Sequence, residues 1–516
     1  MMSNPRRTKL LLGAALVASA LTLASGEAAA QKKGGSLVYA NVSAVGTMDP
    51  MVANAVVDLE TIHHVYEALV EMGEDYSAAP MLASKVDISP DGRMFTFTLR
   101  KGVKFSNGKE MTAADVIASF ERYKKVSPNA PALADVASME TPDPYTFVIK
   151  LNKPNSLFVE VLKTPTYTFA ILPAEQKDKP ARDGDLIGIA PYQVAEWARD
   201  SHIVLRRAES YVADESAKGP NGFAGKKTAY LDTVRYNSVP EANTRIAALQ
   251  TGGADFIATV PGDLAKRFKG RTDAQIMSVI PFCQATFITH AKNEPLASNR
   301  YLRQAIAMLV DSEEMMEAAG QVWDRNPSLM FKPSSYHSDV GAAFYDQHSV
   351  EKAKALLKQG NYAGQKVVLE TNANYAYMRD SSQVLVEQMK KAGINVELKM
   401  VDWTTNAGDL GKGTGGWNIT ITGLCSGPLL GPQQWRLSLA FAQNPDDPVV
   451  TEGYAKMFAT TDVAERKRIW QGIEKYFIEE GYMMKVADIA DLRGMNNKFE
   501  GIKPYYMQRF WDVWAK

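Results

Sequence analysis

The chain has 516 residues, 46% of them hydrophobic and 22% charged, with a formal charge of zero. That length allows roughly three domains and a large buried core. The balanced charge excludes a basic nucleic-acid face or an acidic chaperone tail as the organising feature, and the composition is that of a folded globular protein.

Residues 1–30 read as a secretory signal peptide. Arg6, Arg7 and Lys9 form a basic n-region, LLLGAALVASALTLA is the apolar stretch, and Ala28 to Ala30 form a small-residue cleavage site before Gln31. The apolar run is short for a membrane span, and no cysteine follows it for lipid attachment. Lys9 stands where a twin-arginine leader carries an aromatic residue, so the general secretory route and a soluble periplasmic product are expected. Residues 1–30 hold three Lys/Arg and one Glu, leaving a mature chain with 55 basic and 57 acidic residues, net about −2.

Leu37 to Val42 reads as a strand, followed by a loop ending at Asp49-Pro50. VVDLETIHHVYEALVEM has helical spacing and reads as one helix. Pro90-Asp91-Gly92 is a turn, MFTFTLR alternates as a half-buried strand, and Asn107-Gly108 signals a hairpin. Thr112 with Asp115 three residues on starts a helix, and YTFVIKL is another strand. From Gly188 the texture changes: GIAPYQVAEW, HIVLRR and LDTVRYNSV are strands, and EANTRIAALQTGGADFI is helix, glycine stop, strand. ATFITHA is a strand, and NRYLRQAIAMLVDSEEMMEAA is a long helical segment. The second half repeats the alternation in SVEKAKALLKQG, QKVVLETNA, SSQVLVEQMKKAG, INVELKMVDW and NITIT, before a final helix VAERKRIWQGIEKYFIEEG. The pattern is that of two α/β lobes with mixed or parallel sheets.

Motifs for catalysis or metal binding are missing from this pattern. Gly411, Gly413 and Gly416 match G-x-G-x-x-G but precede a strand, so they read as a loop. His63, His64, His202, His290, His337 and His348 show no metal-ligand spacing and read as core or surface residues. Cys283 and Cys425 are the only cysteines, and two buried thiols are expected rather than a disulfide. Trp403, Trp417 and Trp435 cluster within 33 residues, either as core or as a ligand wall. Tyr375, Tyr377 and Arg379 follow a strand and precede a helix, where α/β lobes place ligand groups. Between Asp409 and Asp446 lie 36 residues without one Asp or Glu, GWNITITGLCSGPLLGP among them.

The block PMLASKVDISPDGRMFTFTLRKGVKFSNGKEMTAADVIASF resembles the family 5 solute-binding proteins of bacterial ABC importers, which take dipeptides, oligopeptides or nickel complexes. Pro80, Leu82, Asp91, Gly92, Thr96, Phe97, Arg100, Gly102, Gly108, Thr112 and Asp115 carry the likeness, with GIAPYQV, RIAALQTGGAD, LRQAIAMLVD and VEKAKALLKQGNY elsewhere. The resemblance implies an α/β, two-lobed periplasmic-binding-protein fold of class II type with an extra small domain. The first lobe would comprise residues 31–59, 186–272 and 488–516, the extra domain 60–185, and the second lobe 273–487. It implies a monomer that captures a small-molecule ligand between its lobes and hands it to ABC permease subunits, with no catalysis, cofactor, metal or nucleic acid.

In peptide-binding members the place of Gly423 to Pro432 usually reads G-W-x-x-D-x-x-D-P, with an Asp pairing the peptide amine. Here Leu424 replaces the Trp and both acids are gone. An unpaired ammonium in a closed cleft is strongly unfavourable, so a neutral, anionic or N-blocked ligand is expected. Expected pocket residues are Asn54 and Ser426 as hydrogen-bonding groups, Tyr375, Tyr377, Trp403 and Trp435 as stacking faces, Arg379 as an anion clamp, and Cys425 beside them. Alternatives are a peptide binder using another acid such as Asp58, a metal-chelate or haem binder, and an exported hydrolase.

Overall fold

The computed structural model describes residues 31–182, 185–425, 431–433, 435, 441–444 and 446–516. The expected signal peptide and Ser426 lie outside the described residues.

Two long antiparallel strands organise the chain. Ala274–Thr289 and Met483–Asn496 pair from Ala274 opposite Asn496 to Ile288 opposite Met483. Their ladder breaks near its middle. Val279 faces Asp491 and Cys283 faces Ile489, so Ile280, Pro281 and Phe282 stand against Ala490 alone. Proline has no N–H to give to a ladder and fits such a break. On one side of the break Met483–Asn496 continues the sheet through Phe256–Ile257, Ser36–Asn41, Thr233–Ser238, His202–Arg207 and Tyr192–Ala198. On the other side Ala274–Thr289 continues it through Ile419–Leu424, Val367–Asn372 and Val396–Val401. With Trp323–Asp324 on the edge of Met483–Asn496, the described residues form one eleven-stranded sheet that carries two lobes.

Each lobe has its own apolar core, around Leu37, Tyr39, Val234 and Phe256 in the first and Phe287, Leu369, Ile421 and Val486 in the second. A separate four-stranded sheet is ordered Ala83–Ile88, Met94–Leu99, Thr146–Leu151, Val136–Asp143. Its Phe95, Phe97 and Phe147 join the first lobe's core. Thr112 and Asp115 form the expected capping box on helix Ala113–Val126. The fold is thus the expected α/β two-lobed class with a small extra sheet.

Several elements differ from expectation. Helix Val56–Ile62 stops where one helix was expected to run to Met72. The ring of His64 explains the stop: its Nδ1 donates to the Glu60 carbonyl at 2.7 Å and its Nε2 accepts from the Phe510 N–H at 2.9 Å. The segment 300–318 is two helices, Arg300–Ala307 and Ser312–Ala318, because the Asp311 carboxylate accepts from the Glu314 N–H at 3.0 Å and starts a new one. Strand Val396–Val401 ends before Asp402, which caps an unexpected helix Trp403–Lys412. No strand is expected after the last helix, yet Met483–Asn496 is there; its buried Lys485, Asp488, Asp491 and Arg493 disguise it. Cys283 and Cys425 form a disulfide, contrary to the expectation of two thiols. They are the next cross-strand pair beyond Gln284 and Leu424, a proximity that only the folded ladder creates.

Two outcomes follow for stability. Replacing both cysteines by Ser should cost roughly 2–4 kcal/mol, as expected for a bond closing a long loop. Thermal unfolding with and without reductant measures this, and equal melting temperatures would contradict it. Burial holds the His63 and His64 pKa values down at about 3. In the unfolded chain both protonate near 6.5, so unfolding takes up protons below that pH. Their contribution is whole above about pH 6.5 and is lost as pH falls towards 3. Glu71, pushed up to about 8 by burial, works in the opposite sense between 4.5 and 8. The net fall from these three groups is therefore steepest between about pH 4.5 and 3, where Glu71 no longer offsets the histidines. Denaturant titrations across that range should show a shallower fall for His63→Phe than for the parent; parallel curves would refute the assignment.

Candidate functional site

Strand polarity locates the site. In the first lobe Ser36–Asn41 runs parallel to Thr233–Ser238 and to Phe256–Ile257. Phe256 and Ile257 face Met495 and Gly494, so these strands point their carboxyl ends at the ladder break. In the second lobe Val367–Asn372 runs parallel to Val396–Val401 and Ile419–Leu424. Leu424 faces Gln284, so these carboxyl ends point at the break from the opposite side. Ligands of open α/β sheets bind outside the carboxyl ends of strands. The described segments that follow those ends are 42–55 in one lobe and 373–375, 402–403 and Cys425 in the other.

The second-lobe wall is built from short polar side chains that aim large ones. The Asn372 Oδ1 accepts from the N–H groups of Asn374 at 3.2 Å and Tyr375 at 3.0 Å. The Asn374 Oδ1 accepts from the Trp403 N–H at 2.8 Å and stitches the two loops together. Tyr375 then meets Trp403 edge-on at 5.1 Å and Tyr377 at 6.2 Å. Tyr375 stays 42% exposed, leaving ring surface for a ligand to cover. The half-buried Tyr377 puts its hydroxyl against Gly423, where any Cβ would overlap it; burial raises its pKa. Beneath this wall the buried Glu370 accepts from Lys399 at 2.8 Å and Asn406 at 3.0 Å.

Among the expected pocket residues, Tyr375, Tyr377 and Trp403 come together as one aromatic group. Asn54 is exposed in the segment after the first strand. Arg379 is not an open cation: its Nε and Nη2 bond both Asp380 carboxylate oxygens at 2.7 and 3.0 Å. Cys425 is half-buried and its sulfur is spent in the disulfide. Trp435 is 0% exposed, in a core with Trp417, Trp470 and Tyr454, so it packs the second lobe rather than facing the cleft. Asp58 is buried, and its carboxylate accepts from the Gly46 N–H at 2.7 Å, pinning its own loop. Burial pushes the Asp58 pKa up. Sequence reading missed Asn372 and Asn374, although Asn-x-Asn after a strand is a turn signal of known mechanism. It also missed the stacking of Phe282 on Tyr506 at 5.4 Å, which bridges the ladder break to the C-terminal segment.

Comparison with known proteins fits this geometry. The profile of the bacterial extracellular solute-binding proteins, family 5 Middle, matches residues 77–430. The chain is 28% identical over 437 residues to the probable peptide ABC transporter periplasmic-binding protein y4tO of Sinorhizobium fredii, covering 80% of this chain and 79% of that one. It is 25% identical to the glutathione-binding protein GsiB of Salmonella choleraesuis, covering 82% and 83%. Among solved structures it resembles the binding protein AgaA of A. tumefaciens R10, in complex with agropinic acid, with a TM-score of 0.68, 24% identity, and coverage of 93% and 99%; that likeness is one of fold. The chain belongs to the family 5 bacterial extracellular solute-binding proteins.

Proposed function

We propose that this solute-binding protein works in the periplasm and captures a neutral or N-blocked organic solute between its lobes for an ABC permease. One observation supports the ligand class: the 36 residues between Asp409 and Asp446 hold no Asp or Glu, and strand Ile419–Leu424 within them ends towards the ladder break. The acids nearest the described wall already accept within the protein, Glu370 from Lys399, Asp380 from Arg379, and Asp402 from the Thr405 N–H and hydroxyl. A ligand ammonium would enter a closing site with no counter-charge, at a large desolvation cost. The Tyr375–Trp403 pair offers a stacking face for a ring or an acyl group. Lobe closure on such a ligand shifts an equilibrium between two arrangements by differential affinity.

A second reading is favoured by the relatives named for peptides and for glutathione: a free-amine peptide whose ammonium meets an acid supplied from elsewhere.

A thermal-shift panel separates the two. It would contain di- and tripeptides, the same peptides N-acetylated, sugars and aromatic acids. A ligand at 100 times its Kd adds about 2.7 kcal/mol of stability. Stabilisation by N-acetylated or neutral compounds alone is expected; stabilisation by free-amine peptides would overturn the proposal in favour of the second reading. For any compound that binds, Tyr375→Ala and Trp403→Ala should each weaken affinity roughly tenfold, about 1.4 kcal/mol, without moving the ligand-free melting temperature. Unchanged affinity in both variants would remove the aromatic pair from the site.

A further inference from the structure

Helix Pro448–Ala459 lies in the second lobe, where its Val450, Tyr454 and Met457 share a core with Ile288 and Met483 of the long strands. It ends without the usual device. Its C-cap, Thr460, is extended (φ −104°, ψ 136°), and no glycine follows. Thr461 and Asp462 lead directly into helix Val463–Glu479, with the Asp462 carboxylate capping that helix through the Glu465 N–H at 2.8 Å. The last carbonyls of a helix need donors from somewhere.

Two of those donors belong to Ser156, 301 residues before Met457. The Ser156 N–H donates to the Phe458 carbonyl at 2.9 Å, and the Ser156 Oγ donates to the Met457 carbonyl at 3.2 Å. Ser156 follows strand Thr146–Leu151 of the four-stranded sheet, whose side chains belong to the first lobe's core. The next residue, Leu157, is 0% exposed and sits among the second lobe's core residues. The turn at Gly92 closes the same spot. It has φ +65°, its carbonyl accepts from the Asn155 N–H at 3.0 Å, and a Cβ there would stand 3.4 Å from the Phe458 carbonyl oxygen. Phe331 answers from the second lobe: it is fully buried in the first lobe's core, 6.3 Å from the Tyr76 ring. A groove of about 410 Å³ lined by Asn155, Thr451, Tyr454 and Phe458 runs beside the contact.

These groups lie on opposite sides of the ladder break at residues 280–282, so rotation at the break moves one against the other. We propose that Asn155–Leu157 is a latch: the small four-stranded domain caps a second-lobe helix in trans and holds the lobes at the angle seen here. Rotation at the break must separate Ser156 from two helix carbonyls and draw Leu157 out of an apolar core. The small domain thereby sets the resting angle of a cleft it does not line. The latch does not depend on which ligand the cleft takes.

Distances between spin labels test this on the full chain. Met94 on the four-stranded sheet and Val463 on the second lobe are 40% and 58% exposed and accept cysteine labels; the native cysteines are held in their disulfide. The parent should give one narrow Met94→Cys to Val463→Cys distance distribution without added solute. Ser156→Ala with Leu157→Ala should broaden or shift it. An unchanged distribution in the folded variant overturns the latch. Should that variant fail to fold, Ser156→Ala alone is read by hydrogen exchange. Residues 454–459 should then exchange several-fold faster while 285–289 keep the parental rate, and unchanged exchange at 454–459 overturns the proposal equally.

Discussion

The pairing of Ala274–Thr289 with Met483–Asn496 is the constraint on which the rest depends. Among the described residues the only other ladder joining the lobes is the two-residue pairing of Trp323–Asp324 with Met483–Asn496. Met483–Asn496 is buried along nearly all its length, so each charged residue on it needs a partner. Lys485 meets Asp488 at 2.7 Å, and Asp488 also accepts from Asn326 at 2.7 Å. Arg493 meets Asp491 at 2.8 Å and donates to the Tyr506 carbonyl at 2.8 Å. These pairings fix what packs around each half of the strand. The Asn326 segment belongs to one lobe, and the C-terminal segment at Tyr505 and Tyr506 to the other. The break at Ile280–Phe282 lies between the two charge clusters, where the ladder itself holds least.

From that break the cleft follows by polarity. Parallel strands in both lobes end towards it, where open α/β sheets bind their ligands. The disulfide sits one pair beyond the ladder of Ile419–Leu424, beside the break and within the acid-free stretch. It ties the end of strand Ile419–Leu424 to the long strand Ala274–Thr289 at the edge of the break. Asn372 and Asn374 act likewise at shorter range. Each spends its side-chain oxygen on backbone N–H groups and so fixes where an aromatic ring stands.

Much of this was legible in the sequence wherever pattern and packing agree. MFTFTLR alternates and is a strand with one buried face; Thr112 and Asp115 cap the helix they announce. Legibility failed where tertiary partners override local signals. VADIADLRGMN carries too many charges to read as a central strand, because the groups that neutralise them are remote in sequence. HHVYEALVEM keeps helical spacing, but His64 finds its partners in Glu60 and Phe510 and ends the helix. Trp403 and Trp435 look alike in sequence. One follows a strand end and stays half-exposed; the other is enclosed by Trp417, Trp470 and Tyr454. Arg379 looked like a free cation because nothing local says that its neighbour Asp380 would turn back onto it.

Charge compensation in the walls gives the ligand argument its physical basis. A missing carboxylate alone says little, since a lost acid in one loop is easily replaced by another. In the described walls the acids already accept hydrogen bonds within the protein, Asp402 from the Thr405 N–H and hydroxyl among them. Asp58 holds the Gly46 N–H, Glu370 holds Lys399 and Asn406, and Asp380 holds Arg379. Redirecting any of them to a ligand would strip a buried backbone donor, a lysine or an arginine of its partner. That exchange leaves one charge or dipole unpaired for each it satisfies. Walls already balanced within themselves favour a solute that brings no ammonium, and the exposed ring of Tyr375 beside Trp403 is available to stack on it.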